Sequence, residues 1–519
     1  VSWQKEIDEL RRRESLARLM GGPENVKRQH GAGRLTVRER IDRLLDPASF
    51  HEVGALAGRA VYDEQGHLTS FTPSNFVMGL GRIAGRRVVV GGDDFTVRGG
   101  AADAVVGNKA GYAEKLALGL RLPIIRLVDG TGGGGSVKTL EMIGRTYVPA
   151  NPSWDTVVEL LGEVPVVAAA LGPVAGLGAV RVATSHFSLM VKGVSQLFVA
   201  GPPVVERGVG EKVDKEQLGG SFIHTQLSGA VDNEVASEDE AFTAIRTFLS
   251  YLPSSVYEAP PVAPAADDPL RREEELLSII PRDRRRSFDV RRIVALVLDR
   301  GSFFEIGPGY GRPLVTGLAR LNGHPVGVLA NDPRRGGGAV DAPAAEKMIR
   351  FVDLCDTFHL PVVNFVDNPG FLIGTAAERA GTVRIGARAM VAVYQASVPW
   401  ISILIRRCFG VAGAAHGNAQ GLNLRYAWPS GDWGSLPIEG GVQAAYKREI
   451  EAAPDPAAHR AAIEERLRQY MSPFRTAEAF GIEEIIDPRD TRPLLCEWVD
   501  TAYRLLPSSL GPKRRKTRS

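Results

Sequence analysis

Two glycine-rich turns, rather than any side-chain cluster, have the clearest capacity for chemistry. Residues 164–180 read VPVVAAALGPVAGLGAV, and residues 398–415 read VPWISILIRRCFGVAGAA. Each begins with Val-Pro, continues as an apolar run of strand length and ends in small residues. The pattern predicts a buried strand, a tight turn and the start of a helix. Small residues let a ligand approach the main chain closely. A helix start leaves N–H groups unpaired at the positive end of the helix dipole. The first turn is Ala175-Gly176-Leu177-Gly178, and the second is Phe409-Gly410-Val411-Ala412-Gly413. Donors of this kind suit an enolate or a similar oxyanion, at roughly 2.7–4 kcal/mol each in the transition state. The competing reading is that the glycines only permit tight strand–helix packing; two copies in matching positions favour function over it.

Side chains offer less. Asp129 and Asp367 end corresponding strands. They are either acid/base groups or structural turn caps, and the cap is the better reading for a position shared by two half-sites. His186 and His416 lie near the turns, but a lone histidine is more often structural than a base. Residues 130–139, GTGGGGSVKT, imitate a phosphate-binding loop, yet Val137 precedes Lys138 where that motif requires Gly. There is no HExxH and no GxSxG. Cys355, Cys408 and Cys496 are scattered and form no CxxC pair, so no metal site is expected.

The elements that must hold the turns come from a duplication. VMGLGRIAGRRVVVGGDD, from Val77, matches VTGLARLNGHPVGVLAND, from Val315, without a gap. Gly79, Arg82, Gly85 and Asp94 correspond to Gly317, Arg320, Gly323 and Asp332. Each copy predicts a hairpin, then a helix, then a buried strand ending at Asp129 or Asp367, then a helix leading to Val-Pro. Short apolar strands alternating with helices predict an α/β fold with buried parallel strands, in two related domains, 1–260 and 261–519. Residues 1–48 read as charged helices, broken at Gly21-Gly22-Pro23 and ended by Asp46-Pro47. Residues 256–288, rich in Pro, Ala and charge, read as a linker. The basic end, LGPKRRKTRS, reads as a solvated, disordered tail.

With 519 residues, 44% hydrophobic and 24% charged, the chain is globular and too long for one ordinary core. A net charge of +3 gives no general attraction to nucleic acid. No apolar run of about 18 residues occurs, so no membrane span is expected and the cytoplasm is the expected location.

The chain resembles the carboxyltransferase (β) subunits of biotin-dependent acyl-CoA carboxylases, the propionyl-CoA and methylcrotonyl-CoA carboxylase family. The residues that carry the resemblance are 33–54 (GRLTVRERIDRLLDPASFHEVG), 93–100 (DDFTVRGG), 172–179 (GPVAGLGA), 199–220 (VAGPPVVERGVGEKVDKEQLGG), 365–381 (FVDNPGFLIGTAAERAG) and 426–446 (YAWPSGDWGSLPIEGGVQAAY). It implies two tandem crotonase-like (ClpP/crotonase superfamily) domains built on ββα repeats. The first would take acyl-CoA and the second carboxybiotin, with active sites between subunits of a homo-hexamer, a trimer of dimers. It implies transfer of CO2 from carboxybiotin to the α, or vinylogous γ, carbon of an acyl-CoA through an enolate, with the freed biotin as base. Alternatives within the resemblance are a biotin-dependent decarboxylase or transcarboxylase subunit and an inactive structural paralogue.

The resemblance places the thioester hole at Gly176, Leu177 and Gly178, and the biotin hole at Val411 and Ala412. It places Arg98, Gly99, Gly100, Gly132, Gly133, Gly134, Ala175, Gly410, Gly413 and Ala414 on the substrates. Leu177 and Val411 stand where the family has Gly, and Ala414 stands where it has an Asp tied to acyl-chain choice, which leaves the acyl group open. No Met-Lys-Met biotinylation site occurs. A partner, a biotin carboxylase or biotin carboxyl carrier subunit, is therefore expected to bring the cofactor.

Overall fold

Both copies of the repeated sequence begin as antiparallel hairpins in the same register. A computed structural model describes residues 2–101, 106–130, 137, 140–141, 144–148, 150–151, 153–418 and 423–515. The chain divides into two units, Val1–Tyr257 and Glu258–Ser519. In the first lie β1 (His51–Glu52), β2 (Gly58–Tyr62), β3 (Leu68–Pro73), β4 (Phe76–Ile83), β5 (Arg86–Asp93), β6 (Ile124–Val128), β7 (Val166–Ala170), β8 (Pro173–Ala175), β9 (Phe187–Val191), β10 (Gln196–Phe198) and β11 (Asn233–Val235). In the second lie β12 (Phe304–Glu305), β13 (Leu314–Leu321), β14 (His324–Asn331), β15 (Val362–Asn368), β16 (Trp400–Phe409), β17 (Asn423–Ala427), β18 (Asp432–Gly434) and β19 (Glu484–Ile485).

The first main sheet runs β1-β4-β5-β6-β7-β9-β11, and the second runs β12-β13-β14-β15-β16-β17-β19 with β18 on β16. In the hairpins Gly79 pairs with Val90 and Gly317 with Val328, so the duplication is kept to the residue. Both hairpins turn on two residues of positive φ, Ala84-Gly85 and Asn322-Gly323, as a right-twisted two-residue loop requires. A carboxylate braces each turn: Asp46 accepts from the Ala84 and Gly85 N–H groups, and Asp299 from those of Asn322 and Gly323.

From β5 and β14 onward the pairing is parallel. Strands β6, β7 and β9 are buried along their whole length. Their near-continuous apolar runs follow from cover on both faces of a parallel sheet. Helix Lys109–Leu120 packs on β4–β6 and helix Glu238–Tyr251 on β9. In the second unit helix Ala342–Thr357 packs on β13 and on helix Thr382–Gln395.

Two sequence readings need correction here. Residues 256–288 do not form a free linker. From Glu258 onward they lie on the second unit, with Leu276 and Phe288 in its core. Ala263 N–H donates to Gly323 O at 3.0 Å, and Arg271 reaches Leu296 O at 2.6 Å and Leu298 O at 2.9 Å. A few apolar residues among the charges are enough to dock the segment.

The basic end is not loose either, as far as Arg515. Lys513 Nζ donates to Ser397 Oγ at 2.8 Å. Arg515 pairs with Asp353 at 3.3 Å and bonds Thr357 Oγ1. These cations sit at the C-terminal end of helix Ala342–Thr357, where the helix dipole favours positive charge. Deleting residues 512–519 should lower the melting temperature by roughly 2–6 °C, from about 1–1.5 kcal/mol of lost contacts. A melting curve identical to that of the full chain would contradict this docking.

Candidate functional site

In the first unit the strand–turn–helix expected around Gly176 is present, with one donor reassigned. After β7 the chain crosses Gly172, where a Cβ would stand 2.2 Å from Asp129 Oδ1. Short β8 then pairs in parallel with β10. Gly176 follows at φ 63 and ψ −127, a conformation that side chains resist. Its N–H donates to Phe198 O at 3.1 Å. The expectation that Gly176 supplies a donor to ligand is therefore corrected: that N–H is spent on β10, and Gly176 contributes its backbone bend. The helix begins at Leu177 and runs to Ala183. Its first closing bond is Val180 N–H to Gly176 O, 3.1 Å. The N–H groups of Leu177, Gly178 and Ala179 have no acceptor among the described residues. Ala175 N–H is engaged with Gly130 O at 3.2 Å.

The second turn repeats this with fewer pieces. Where the first unit uses β7 and β8, β16 runs unbroken from Trp400 to Phe409. It pairs first with β17 and then, at Arg407–Phe409, with β18. Gly410, at φ 61, opens the short helix Gly410–Ala414. The N–H groups of Val411 and Ala412 have no acceptor among the described residues. Gly413 is confined by packing, since a Cβ there would stand 2.8 Å from the Cys408 carbonyl carbon. The Val411 side chain is 60% exposed and Leu177 38%, so neither apolar substitute is used in a core. Ala414 is exposed, and its carbonyl accepts from Tyr394 Oη–H at 3.3 Å.

Asp129 and Asp367 are neither bases nor turn caps. Asp129 is fully buried and pairs with Arg34 at 2.9 Å and Arg40 at 2.8 Å. Arg40 also holds Glu238 at 2.8 Å. Asp367, equally buried, pairs with Arg406 at 2.8 Å and Arg407 at 2.7 Å. Burial pushes its carboxyl up, but the two guanidiniums more than offset this and hold it below the ordinary range. Each repeat thus plants one doubly paired carboxylate at the end of the strand beneath its turn. The arginine partners were not anticipated. Arg406-Arg407, directly before the second turn, was the one available signal.

The turn Arg98-Gly99-Gly100 packs against the end of β6: a Cβ on Gly100 would stand 2.5 Å from Asp129 O. Gly336-Gly337-Gly338 does the same at Asp367 O in the second unit, with 3.0 Å for Gly338. Arg98 keeps φ 52 where the other copy has glycine, and its side chain is exposed. Gly132, Gly133 and Gly134 lie outside the described residues.

The histidines are structural. His186 Nδ1 accepts from Val166 N–H and its Nε2 donates to Leu161 O, both at 3.0 Å. His416 Nδ1 donates to Gly413 O at 2.7 Å, and burial lowers its pKa, keeping the ring neutral.

Asp93 is more informative. Its Oδ2 accepts from Asp129 N–H at 3.0 Å, and burial, with the Asp129 charge adding to it, raises its pKa to about 6. Asn331 occupies the same place in the second unit and accepts from Asp367 N–H at 3.3 Å. Because the folded state holds the Asp93 proton to about pH 6 and the unfolded chain releases it near 3.8, stability falls as pH rises between these values. Asp93→Asn should therefore raise the melting temperature at pH 7.5 and lose that advantage below pH 4, as thermal melts at the two values will show. No gain at pH 7.5 would refute a proton on Asp93.

Among the described residues no group of three or more His, Cys, Asp or Glu is placed to hold a metal ion, and no helix is long and apolar enough to cross a membrane.

Comparison with known proteins shows what the chain is similar to. The carboxyl transferase domain family matches residues 28–514. The carboxyltransferase subunit of propionyl-CoA carboxylase from Haloferax mediterranei is 35% identical over 496 residues, 95% of each chain. The α subunit of methylmalonyl-CoA decarboxylase from Veillonella parvula is 31% identical, covering 94% of each chain. The transcarboxylase 12S core, solved as a hexamer with methylmalonyl-CoA and methylmalonic acid bound, superposes with a TM-score of 0.87 at 31% identity, covering 100% of this chain and 98% of that one. The α/β architecture expected as crotonase-like is the fold of the 12S core.

Proposed function

The chain belongs to the carboxyl transferase domain family, and on that premise we propose that it moves a carboxyl group between biotin, carried by a partner protein, and the α carbon of a short acyl-CoA of the propionyl/methylmalonyl type. The observation that carries this reading is the pair of glycine-opened turns in repeat-related positions, each with at least two consecutive N–H groups that no described residue accepts.

At the first turn the N–H groups of Leu177 and Gly178 would hold the thioester oxygen as it gains charge when the α carbon loses its proton. At about 3 Å such donors lower the barrier without reorganising. At the second turn the N–H groups of Val411 and Ala412 suit the ureido oxygen of biotin, an acceptor, and no carboxylate among the described residues accepts from them. Biotin supplies the carboxyl group and, once relieved of it, a basic nitrogen. This fits two turns whose neighbouring titratable groups, Asp129 and His186 in the first unit and Asp367 and His416 in the second, are all committed to structure. Arg98, exposed on the turn that packs against the end of β6, is proposed to meet an anionic group of the CoA ester. A homo-hexamer like that of the 12S core is proposed for the assembled protein.

The test uses purified full-length protein with free biotin and methylmalonyl-CoA. Biotin-dependent conversion to propionyl-CoA is expected. Absence of turnover with both methylmalonyl-CoA and malonyl-CoA, in protein shown to be folded, would refute the reading and favour a structural subunit.

A further inference from the structure

The two donor helices are each tied down at their far ends by a polar side chain that rises from the same place in the sheet. That place is the third residue of β6 and of β15. Arg126 lies between Gly91 and Ala168 in its row of the first sheet. Asn364, its counterpart in the second copy, lies between Leu329 and Ser402. Gly91 and Ala168 are small, which leaves room for a guanidinium above the sheet.

Arg126 is 6% exposed. Its Nη1 donates to Arg181 O at 3.1 Å and Thr184 O at 3.0 Å, the carbonyls that end helix Leu177–Ala183. Its Nη2 donates to Glu114 Oε1 at 3.0 Å. Glu114, 2% exposed, comes from helix Lys109–Leu120 and also takes Arg181 Nε at 3.2 Å and Nη2 at 3.3 Å. The donor helix is thus gripped twice, through its last carbonyls and through its own Arg181. One carboxylate against two guanidiniums leaves a surplus positive charge under the negative end of the helix dipole, a favourable placement.

In the second unit Asn364 Nδ2 donates to His416 O at 2.9 Å. Trp400 Nε1 and Ser402 Oγ donate to the same carbonyl at 2.8 and 2.6 Å. The His416 ring then reaches back to Gly413 O, inside the second donor turn, at 2.7 Å. Cys408 Sγ–H bonds that carbonyl as well, at 3.3 Å.

We propose that Arg126 and Asn364 are positioning residues of the transfer reaction, holding the two rows of main-chain donors at the angle that the charged oxygen requires. The proposal rests on the donor-turn reading above. Neither side chain touches substrate; each acts through the helix or turn it anchors. A shift of about 1 Å in such donors is enough to cost on the order of 100-fold in rate.

The experiment compares the full-length protein with Arg126→Met, Arg126→Lys and Asn364→Leu, in the assay with free biotin and methylmalonyl-CoA. Arg126→Met should lower kcat by roughly 10- to 100-fold while KM for methylmalonyl-CoA stays within about twofold. Arg126→Lys, which keeps a cationic donor beside Glu114, should recover to within about threefold of the wild type. Asn364→Leu, a change without charge, should lower kcat by about 3- to 10-fold and serves if Arg126→Met does not fold. A folded Arg126→Met with wild-type kcat overturns the proposal. So does a loss that Arg126→Lys fails to restore, or an Asn364→Leu that lowers only the melting temperature. Leu177→Pro separates the two levels. If it keeps wild-type turnover the donor-turn reading itself fails. If it is inactive while Arg126→Met is fully active, only the positioning role fails.

Discussion

Leu177→Pro should fold normally and lose roughly 100- to 1,000-fold in kcat, the usual cost of deleting one oxyanion donor. Leu177 is the first residue of its helix. Proline is well tolerated there, because the N–H it lacks has no partner within the helix and its fixed φ suits the first turn. The side chain exchanged is 38% exposed, so little packing is lost. Leu177→Ala is the control: it removes the side chain, keeps the N–H and should retain kcat within a few-fold. Steady-state kinetics with free biotin and methylmalonyl-CoA check both. Equal kcat in the proline and alanine variants would remove the Leu177 N–H from the chemistry.

Asp367→Ala should be the most destabilising single change in the second unit. It leaves Arg406 buried and Arg407 half-buried around a missing carboxylate, with Arg286 O and Gly337 O as the remaining acceptors among the described residues. Breaking a buried pair from one side costs about 3–5 kcal/mol. For a unit of this size that is roughly 6–20 °C in melting temperature. The pH dependence follows from the direction of the shift. The Asp367 carboxyl is held below its ordinary range, so its contribution is complete at neutral pH and is lost as pH falls through its folded pKa. The gap between wild type and variant should therefore narrow in acid. Thermal melts across pH will show this, and a constant gap down to pH 2 would contradict the ion-pair account.

The fold was largely legible because its signals are local and repeated. Hairpins with a glycine turn and apolar strands after Leu-Pro or Val-Pro need no tertiary information. Nor does a repeat that keeps its register from Val77 to Asp129 and again from Val315 to Asp367. The two glycine turns were legible for the same reason, in residue type and in place. What escaped was pairing over distance. Whether Gly176 or Leu177 offers a free N–H depends on β10 lying alongside β8, and β10 comes only after helix Leu177–Ala183 and β9. Asp129 looked like a cap because its partners, Arg34 and Arg40, lie 95 and 89 residues away. The segment from Glu258 and the basic end were misread for a related reason. Composition reports how often such stretches are solvated, while docking was decided by a few residues: Leu276, Phe288, Lys513 and Arg515.

In the proposed reaction main-chain amides, not side chains, hold the charge that develops on the thioester oxygen. A crystal structure of the full-length protein with methylmalonyl-CoA bound tests this most directly. The thioester oxygen is predicted at about 3 Å from the backbone nitrogens of Leu177 and Gly178. A thioester oxygen bound instead by a side chain, with those two nitrogens facing away from the ligand, would contradict it.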